Sequence, residues 1–151
     1  FFDVPCTAVD AAGVLADPLP SLSDPLFLSP DEGAIHLAET VRDAAGAGEL
    51  DYFEKHRLSD TEVEVRPSDA ETAGRDVVLV DDIVATGSTM STAIAQLDAP
   101  ERVFVTCVHP MLAANARTKL AQAGVDGVFG TDTIERAVST VSVAPALVEH
   151  L

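Results

Sequence analysis

The run Val77-Val78-Leu79-Val80-Asp81-Asp82-Ile83-Val84-Ala85-Thr86-Gly87-Ser88-Thr89 sets the architecture of this chain. Its four leading β-formers follow Arg75-Asp76, stop at two aspartates and show no polar alternation, the pattern of a strand buried on both faces. Gly87, Ser88 and Thr89 then open a segment of helix formers from Met90 to Leu97, predicting a helix over 87–97. A strand that runs through a tight small-residue loop into a helix aims several backbone N–H groups at one point. The helix dipole adds positive potential there, so an anion is the expected ligand. Asp81 and Asp82 sit just before that point, where carboxylates accept hydrogen bonds from hydroxyl groups or hold a cation. Phosphate donors beside diol acceptors point to a phosphorylated sugar.

The loop is not the common nucleotide loop. It lacks the lysine of G-x-x-x-x-G-K-[ST] and the spaced glycines of G-x-G-x-x-G. Taken singly, Asp81 and Asp82 read as the end of a strand, and Ser88 or Thr89 as a helix cap. Taken together, the hydrophobic strand, Asp-Asp, the aliphatic pair and Ala-Thr-Gly-Ser-Thr resemble the signature of the type I phosphoribosyltransferase fold. That resemblance implies a loop holding a 5-phosphate while the acidic pair engages the ribose 2- and 3-hydroxyls.

Composition bounds the rest. A length of 151 residues suits one domain with a substantial core. The chain starts at Phe1, which suggests a trimmed piece, and Phe1-Phe2-Asp3 is too short and acidic for a signal peptide. Charged residues interrupt every long apolar run, so no membrane span is expected. Cys6 and Cys107 lack metal spacing, and a reducing cytoplasm is the default. The formal net charge of −16 excludes the basic stripe a nucleic-acid partner requires. An apolar content of 47% excludes disorder for most of the chain, so the acidity reads as a solvated surface. Such a surface suits a salt-loaded cytoplasm, because at molar salt the Debye length falls to about 3 Å and self-repulsion fades.

Before the central run, Val9 to Leu15 reads as a short helix and 25–29 as the first buried strand. Pro30-Asp31-Glu32-Gly33 follows, then a helix marked by Ala34, Ile35, Ala38, Val41 and Ala45 and ended by Gly46 and Gly48. This is a second strand–loop–helix unit, in which Gly33 permits close approach to a ligand and Asp31 is placed to hold magnesium. Leu50 to Arg57 and Thr61 to Arg66 read as strands joined by the polar, mobile connector Leu58-Ser59-Asp60. Lys55-His56-Arg57 is the one basic cluster, with Lys55 and Arg57 on one strand face. In so base-poor a chain this suits a lid that neutralises a polyphosphate.

After the central run, Arg102 to Val108 predicts a strand, Met111 to Ala123 a helix, Val125 to Phe129 a strand, and Val141 to Val143 a last strand before a helix at Pro145. His109 reads as structural. Repeated β–α units broken by Pro and Gly predict an α/β doubly wound, mostly parallel sheet with helices on both faces. Ligands in such sheets bind at strand C-terminal ends, and Asp31, Lys55, Arg57 and the segment Asp81 to Thr89 all fall at such ends or on adjoining loops.

With these pieces placed, the chain resembles the C-terminal half of ribose-phosphate pyrophosphokinases of archaeal type. The likeness runs through Phe1-Phe2-Asp3 with Pro5, Ser29-Pro30-Asp31-Glu32-Gly33, Lys55-His56-Arg57, Val80 to Thr89, Gly130-Thr131-Asp132-Thr133-Ile134 and Val141-Ser142-Val143-Ala144-Pro145. It implies transfer of the β,γ-diphosphate of ATP to the anomeric hydroxyl of ribose 5-phosphate, yielding phosphoribosyl pyrophosphate and AMP with Mg2+. Carried over, Lys55 and Arg57 handle the migrating diphosphate, and Asp31 holds the metal. Asp81 and Asp82 take the ribose hydroxyls, while Ala85, Thr86, Gly87, Ser88 and Thr89 hold the 5-phosphate. A homo-oligomer is implied for a full-length member. Two departures stand out: many members carry Asp where Ala85 stands, and the N-terminal half, which supplies most of the ATP site, is absent. The fragment alone is therefore expected to bind sugar phosphate and turn over little. The competing readings are a purine or pyrimidine phosphoribosyltransferase and a non-catalytic regulatory module. In such an acidic chain the phosphate loop is expected to work through backbone dipoles, with side-chain cations reserved to Lys55 and Arg57.

Overall fold

The computed structural model describes residues 4–57, 63–67 and 69–150, with the side chains of 55–57 and 63–67 outside the described set. The expectations for Phe1-Phe2-Asp3 and for the Leu58-Ser59-Asp60 connector lie outside the described residues.

Seven strands form one sheet: β1 (Leu26–Ser29), β2 (Glu49–Arg57), β3 (Val63–Pro67), β4 (Asp76–Ile83), β5 (Arg102–His109), β6 (Gly127–Thr131) and β7 (Ser139–Val141), in spatial order β3-β2-β1-β4-β5-β6-β7. Every neighbouring pair is parallel except β2 and β3. The helices are α1 (Ile35–Ala45), α2 (Ser88–Ile94), α3 (Ala116–Gln122) and α4 (Ala144–Val148), with short 3-10 turns at Ala12–Ala16 and Glu32–Ala34. Among the described residues no helix is long and apolar enough to cross a membrane.

The unalternating hydrophobicity of β4 has the predicted cause. Val77 and Leu79 enter one core with Leu26, Leu28, Met90, Val105 and Leu120, beneath α2 and α3. Val78 and Val80 enter a second core on the opposite face with Phe27, Leu37, Val41 and Phe104, beneath α1 and the Ala12–Ala16 turn. Burying both faces of a short strand requires apolar residues at every position. Strand order reverses between β1 and β4, each of which continues the sheet in its own direction. Their adjoining C-terminal ends form the crevice where open α/β sheets take ligands.

Several predicted boundaries shift. The early helix is a 3-10 turn beginning at Ala12, not Val9. Helix α2 stops at Ile94 rather than Leu97, β6 runs from Gly127 to Thr131, and β7 ends at Val141. The largest correction lies after β5, where the helix predicted from Met111 begins only at Ala116. Leu112 and Ala114 take left-handed backbone (φ 44° and 52°), which no α-helix accommodates. Their neighbours are committed to bracing the loop described next.

Candidate functional site: an amide-lined loop at the strand crossover

Asp81 and Asp82 are consecutive strand residues, so they face opposite sides of the sheet. Asp81 joins Val84 to Met90 in lining an open pocket of about 310 Å³. Asp82 lines a wider cleft of about 780 Å³ on the other side, with Val9, Asp10, His36, Leu37, Val108 and His109 among its walls. Each carboxylate accepts the amide that follows it: Asp82 N–H to Asp81 Oδ1 at 2.9 Å, and Ile83 N–H to Asp82 Oδ1 at 2.6 Å.

Between Asp82 and α2 the loop turns its carbonyls outward. Val84 O accepts the Leu112 amide at 2.9 Å, Ala85 O accepts the Ala113 amide at 2.8 Å, and Gly87 O accepts the Ser91 amide at 2.9 Å. The amides from Ala85 to Met90 donate to no acceptor among the described residues. Gly87 starts the helix with left-handed φ of 72° and no side-chain cap, so neither Ser88 nor Thr89 serves as the capping residue considered above. An uncapped helix start leaves its first N–H groups free for a ligand.

The β1–α1 loop stands across the crevice. Ser29 Oγ donates to the Asp31 carbonyl, and Asp31 Oδ1 accepts the Gly33 amide at 2.9 Å, starting the turn that leads into α1. Burial pushes the Asp81 carboxyl up to about 7, with the charges of Asp82 and Asp31 adding to the rise against the lowering effect of the Asp82 amide. The charges of Asp82 and Asp31 are thus both felt at Asp81. Among the described residues no cluster of three His, Cys, Asp or Glu forms a protein-only metal cage. The donor set instead fits magnesium, which commonly binds through one or two carboxylates plus substrate oxygens and water.

Lys55 and Arg57 close β2, beyond the last β1–β2 pair, Ser29 with Tyr52. The backbone at Lys55 and Arg57 pairs with Val65 and Val63. Their side chains lie outside the described residues. The Gly130–Ile134 motif is an anchor: the Thr131 and Thr133 hydroxyls both donate to Val108 O, at 2.6 and 2.7 Å. Asp132 accepts the Val143 amide at 2.9 Å, and hydrogen bonds from the Ser142 hydroxyl and this amide hold its carboxyl below the usual range. His109 Nδ1 lies 2.8 Å from the Thr133 hydroxyl, and the same residue lines the cleft that Asp82 faces. The sequence reading missed Lys119, whose Nζ donates to Ser88 Oγ at 3.0 Å, so the loop does have a side-chain cation beside it.

A phosphoribosyl transferase domain matches residues 16–145. Ribose-phosphate pyrophosphokinase from Halobacterium salinarum (strain ATCC 29341 / DSM 671 / R1) is 63% identical over 151 residues, covering 99% of this chain and 54% of that protein. The enzyme of the same name from Methanothermobacter thermautotrophicus is 41% identical, covering 99% of this chain and 53% of that protein. The chain therefore spans about half the length of these relatives. Among solved structures, phosphoribosylpyrophosphate synthetase from Mycobacterium smegmatis superposes with TM-score 0.68 at 28% identity, covering 89% of this chain and 44% of that one. Adenine phosphoribosyltransferase from Thermoanaerobacter pseudethanolicus shares the fold at TM-score 0.57. With the loop, the sheet order and the match across 16–145 in agreement, the chain belongs to the phosphoribosyl transferase domain family.

Proposed function

We propose that this chain forms the ribose 5-phosphate and diphosphate part of a ribose-phosphate pyrophosphokinase and corresponds to its C-terminal half. The carrying observation is the row of amides from Ala85 to Met90, unpaired among the described residues, directly after Asp81 and Asp82 at the strand crossover. A phosphate dianion seated there accepts from several amides at once. A ribose ring lying across the end of β4 then reaches Asp81 on one side and Asp82 on the other. Its anomeric carbon is directed toward the β1–α1 loop, where Asp31 and the backbone at Gly33 meet the incoming diphosphate.

Magnesium, held by Asp31 and phosphate oxygens, supplies charge neutralisation when bound. Lys55 and Arg57, at the end of a strand two places from β4, add positive charge where the diphosphate migrates. Transfers of this kind depend on positioning and electrostatic stabilisation more than on covalent chemistry. The identities above support this reading, because the relatives bearing that name match almost the whole chain. The ATP site is assigned to sequence beyond this chain, so the 151 residues alone bind ribose 5-phosphate without appreciable turnover.

Titration calorimetry tests the reading. Saturable binding of ribose 5-phosphate, strengthened by magnesium, is expected, with no binding of free purine bases. Base-dependent consumption of phosphoribosyl pyrophosphate would transfer the chain to the phosphoribosyltransferases. AMP release from ATP at an ordinary enzymatic rate would refute the assignment of the ATP site.

A further inference from the structure

We infer that Lys119 is the side-chain cation of the phosphate loop, setting affinity for the phosphorylated end of the sugar and not for the sugar itself. This rests on the sugar-phosphate reading above and extends it to a residue that the loop motif does not contain. Lys119 lies on α3, over thirty residues beyond the loop in sequence, and is brought there by a close approach of backbones. A Cβ placed on Gly87 would lie 3.2 Å from the Ala116 carbonyl and 3.4 Å from Leu120 Cγ, so α3 packs directly on the loop. One turn along α3 from Ala116, the half-buried Lys119 extends its ammonium to Ser88 Oγ at 3.0 Å, and Ser88 lines the pocket.

Four of the other described cations are engaged elsewhere: Arg42, Arg75 and Arg102 are held by carboxylates, and Arg136 donates to the carbonyls of Met111 and Glu135. The fifth, Arg117, is exposed on α3, and no contact among the described residues ties it to the loop. Lys119 forms no ion pair among the described residues, although acids outnumber bases 25 to 9. Its one side-chain contact uses one of three ammonium protons and leaves the others for a ligand. Ser88 Oγ accepts from both Lys119 Nζ and Thr86 Oγ1 (3.2 Å), which leaves its own proton free to donate outward. A phosphate oxygen accepting from Ser88 therefore meets the ammonium in the same shell, and the interaction is charge-assisted. The loop's dipoles orient the phosphate, and Lys119 supplies the net positive charge they lack.

The test compares binding of ribose 5-phosphate and ribose to the parent chain, K119M, K119Q and K119R at one salt concentration, with folding of each checked by circular dichroism. K119M and K119Q are expected to weaken ribose 5-phosphate by about tenfold, equivalent to about 1.4 kcal/mol. Ribose binding stays unchanged, and K119R recovers most of the loss. The deficit shrinks as salt is raised, because it is a charge effect. If the parent binds ribose 5-phosphate and both neutral variants bind it equally well, the role of Lys119 is overturned while the site reading stands. An equal loss for ribose and ribose 5-phosphate, or full affinity in K119Q alone, overturns it as well, by showing a structural or neutral hydrogen-bonding role. A parent chain that does not bind ribose 5-phosphate overturns both.

Discussion

The Ala113 amide donates to the Ala85 carbonyl at 2.8 Å, and this bond fixes which way the phosphate loop faces. With the Leu112–Val84 bond beside it, the segment after β5 takes up the loop carbonyls, so the amides are left to point into the pocket. The brace requires left-handed backbone at Leu112 and Ala114, a conformation costing roughly 1–3 kcal/mol at non-glycine residues. Strain of that size persists only where the surroundings over-determine it, here at the loop proposed to hold the ligand.

Gly87 is where the loop has no latitude. Its φ of 72° disfavours any side chain, and a Cβ there would crowd the Ala116 carbonyl at 3.2 Å. Gly87→Ala is expected to cost about 1–3 kcal/mol of stability in urea titration. Ribose 5-phosphate binding should also be lost, because relief of the clash moves α3 and Lys119 away from Ser88. A variant with unchanged midpoint and unchanged affinity would show that the loop tolerates the displacement.

Asp81 gives the site a pH dependence of definite sign. Its carboxyl is raised to about 7, chiefly by burial, against an ordinary value of 3.8. The folded state therefore binds this proton more tightly than the unfolded state. The associated stability is complete below about pH 4 and is lost as pH rises through 7. In magnesium-free buffer, Asp81→Asn should remove this decline, so the difference in melting temperature between variant and parent grows from pH 5 to pH 8. A difference independent of pH across that window would place the carboxylate in a solvated setting.

How far these features could be read in advance depended on range. The strand at β4 was legible because burial on both faces demands an apolar residue at every step. The Asp-Asp and Gly-Ser-Thr signals were legible because they are contiguous. The helix predicted from Met111 failed for a physical reason. Met111 and Leu112 have helical spacing to Ala116 and Leu120, yet Leu112 is buried because its segment is tied to Val84 and Ala85, a contact that periodicity does not encode. Lys119 was visible only as a rare lysine, since its role depends on how closely α3 approaches Gly87. Arg75-Asp76 read as the polar flank of a strand. In the fold Arg75 binds Glu49 and Asp24 while Asp76 binds Arg102, partners drawn from distant segments.

The two cysteines should differ sharply in reactivity. Cys107 is buried on β5, and burial, followed by the nearby charges of Asp81 and Asp82, pushes its thiol up to about 12 against the lowering effect of the Val84 amide. Since the thiolate is the reactive species, Cys107 is inert in the folded chain, whereas Cys6 is exposed. A thiol reagent should label one cysteine in native buffer and two in denaturant. Rapid labelling of both in the native state would mean that the core around β5 opens readily.

The opposite end of the sheet carries the acid limb of stability. Asp76 is fully buried, accepts Arg102 Nε at 2.9 Å and the Ser23 amide at 2.6 Å, and thereby ties the 21–23 segment to the start of β4 and β5. Arg102 also donates to the Ser21 carbonyl at 2.8 Å and stacks over the Phe104 ring, 5.2 Å from its centroid. The Arg102 guanidinium, more than any other neighbour, holds the Asp76 carboxyl below its ordinary 3.8. The sign is opposite to that of Asp81: this contribution is present above pH 3.8 and is lost as pH falls through the lower folded value. Arg102→Ala strands a buried carboxylate, so it should be strongly destabilising at pH 7 and progressively less so toward pH 3. Asp76→Asn introduced into that background should restore part of the stability at pH 7, because the uncompensated charge is gone. Additive losses in the double variant would show that the two residues act independently.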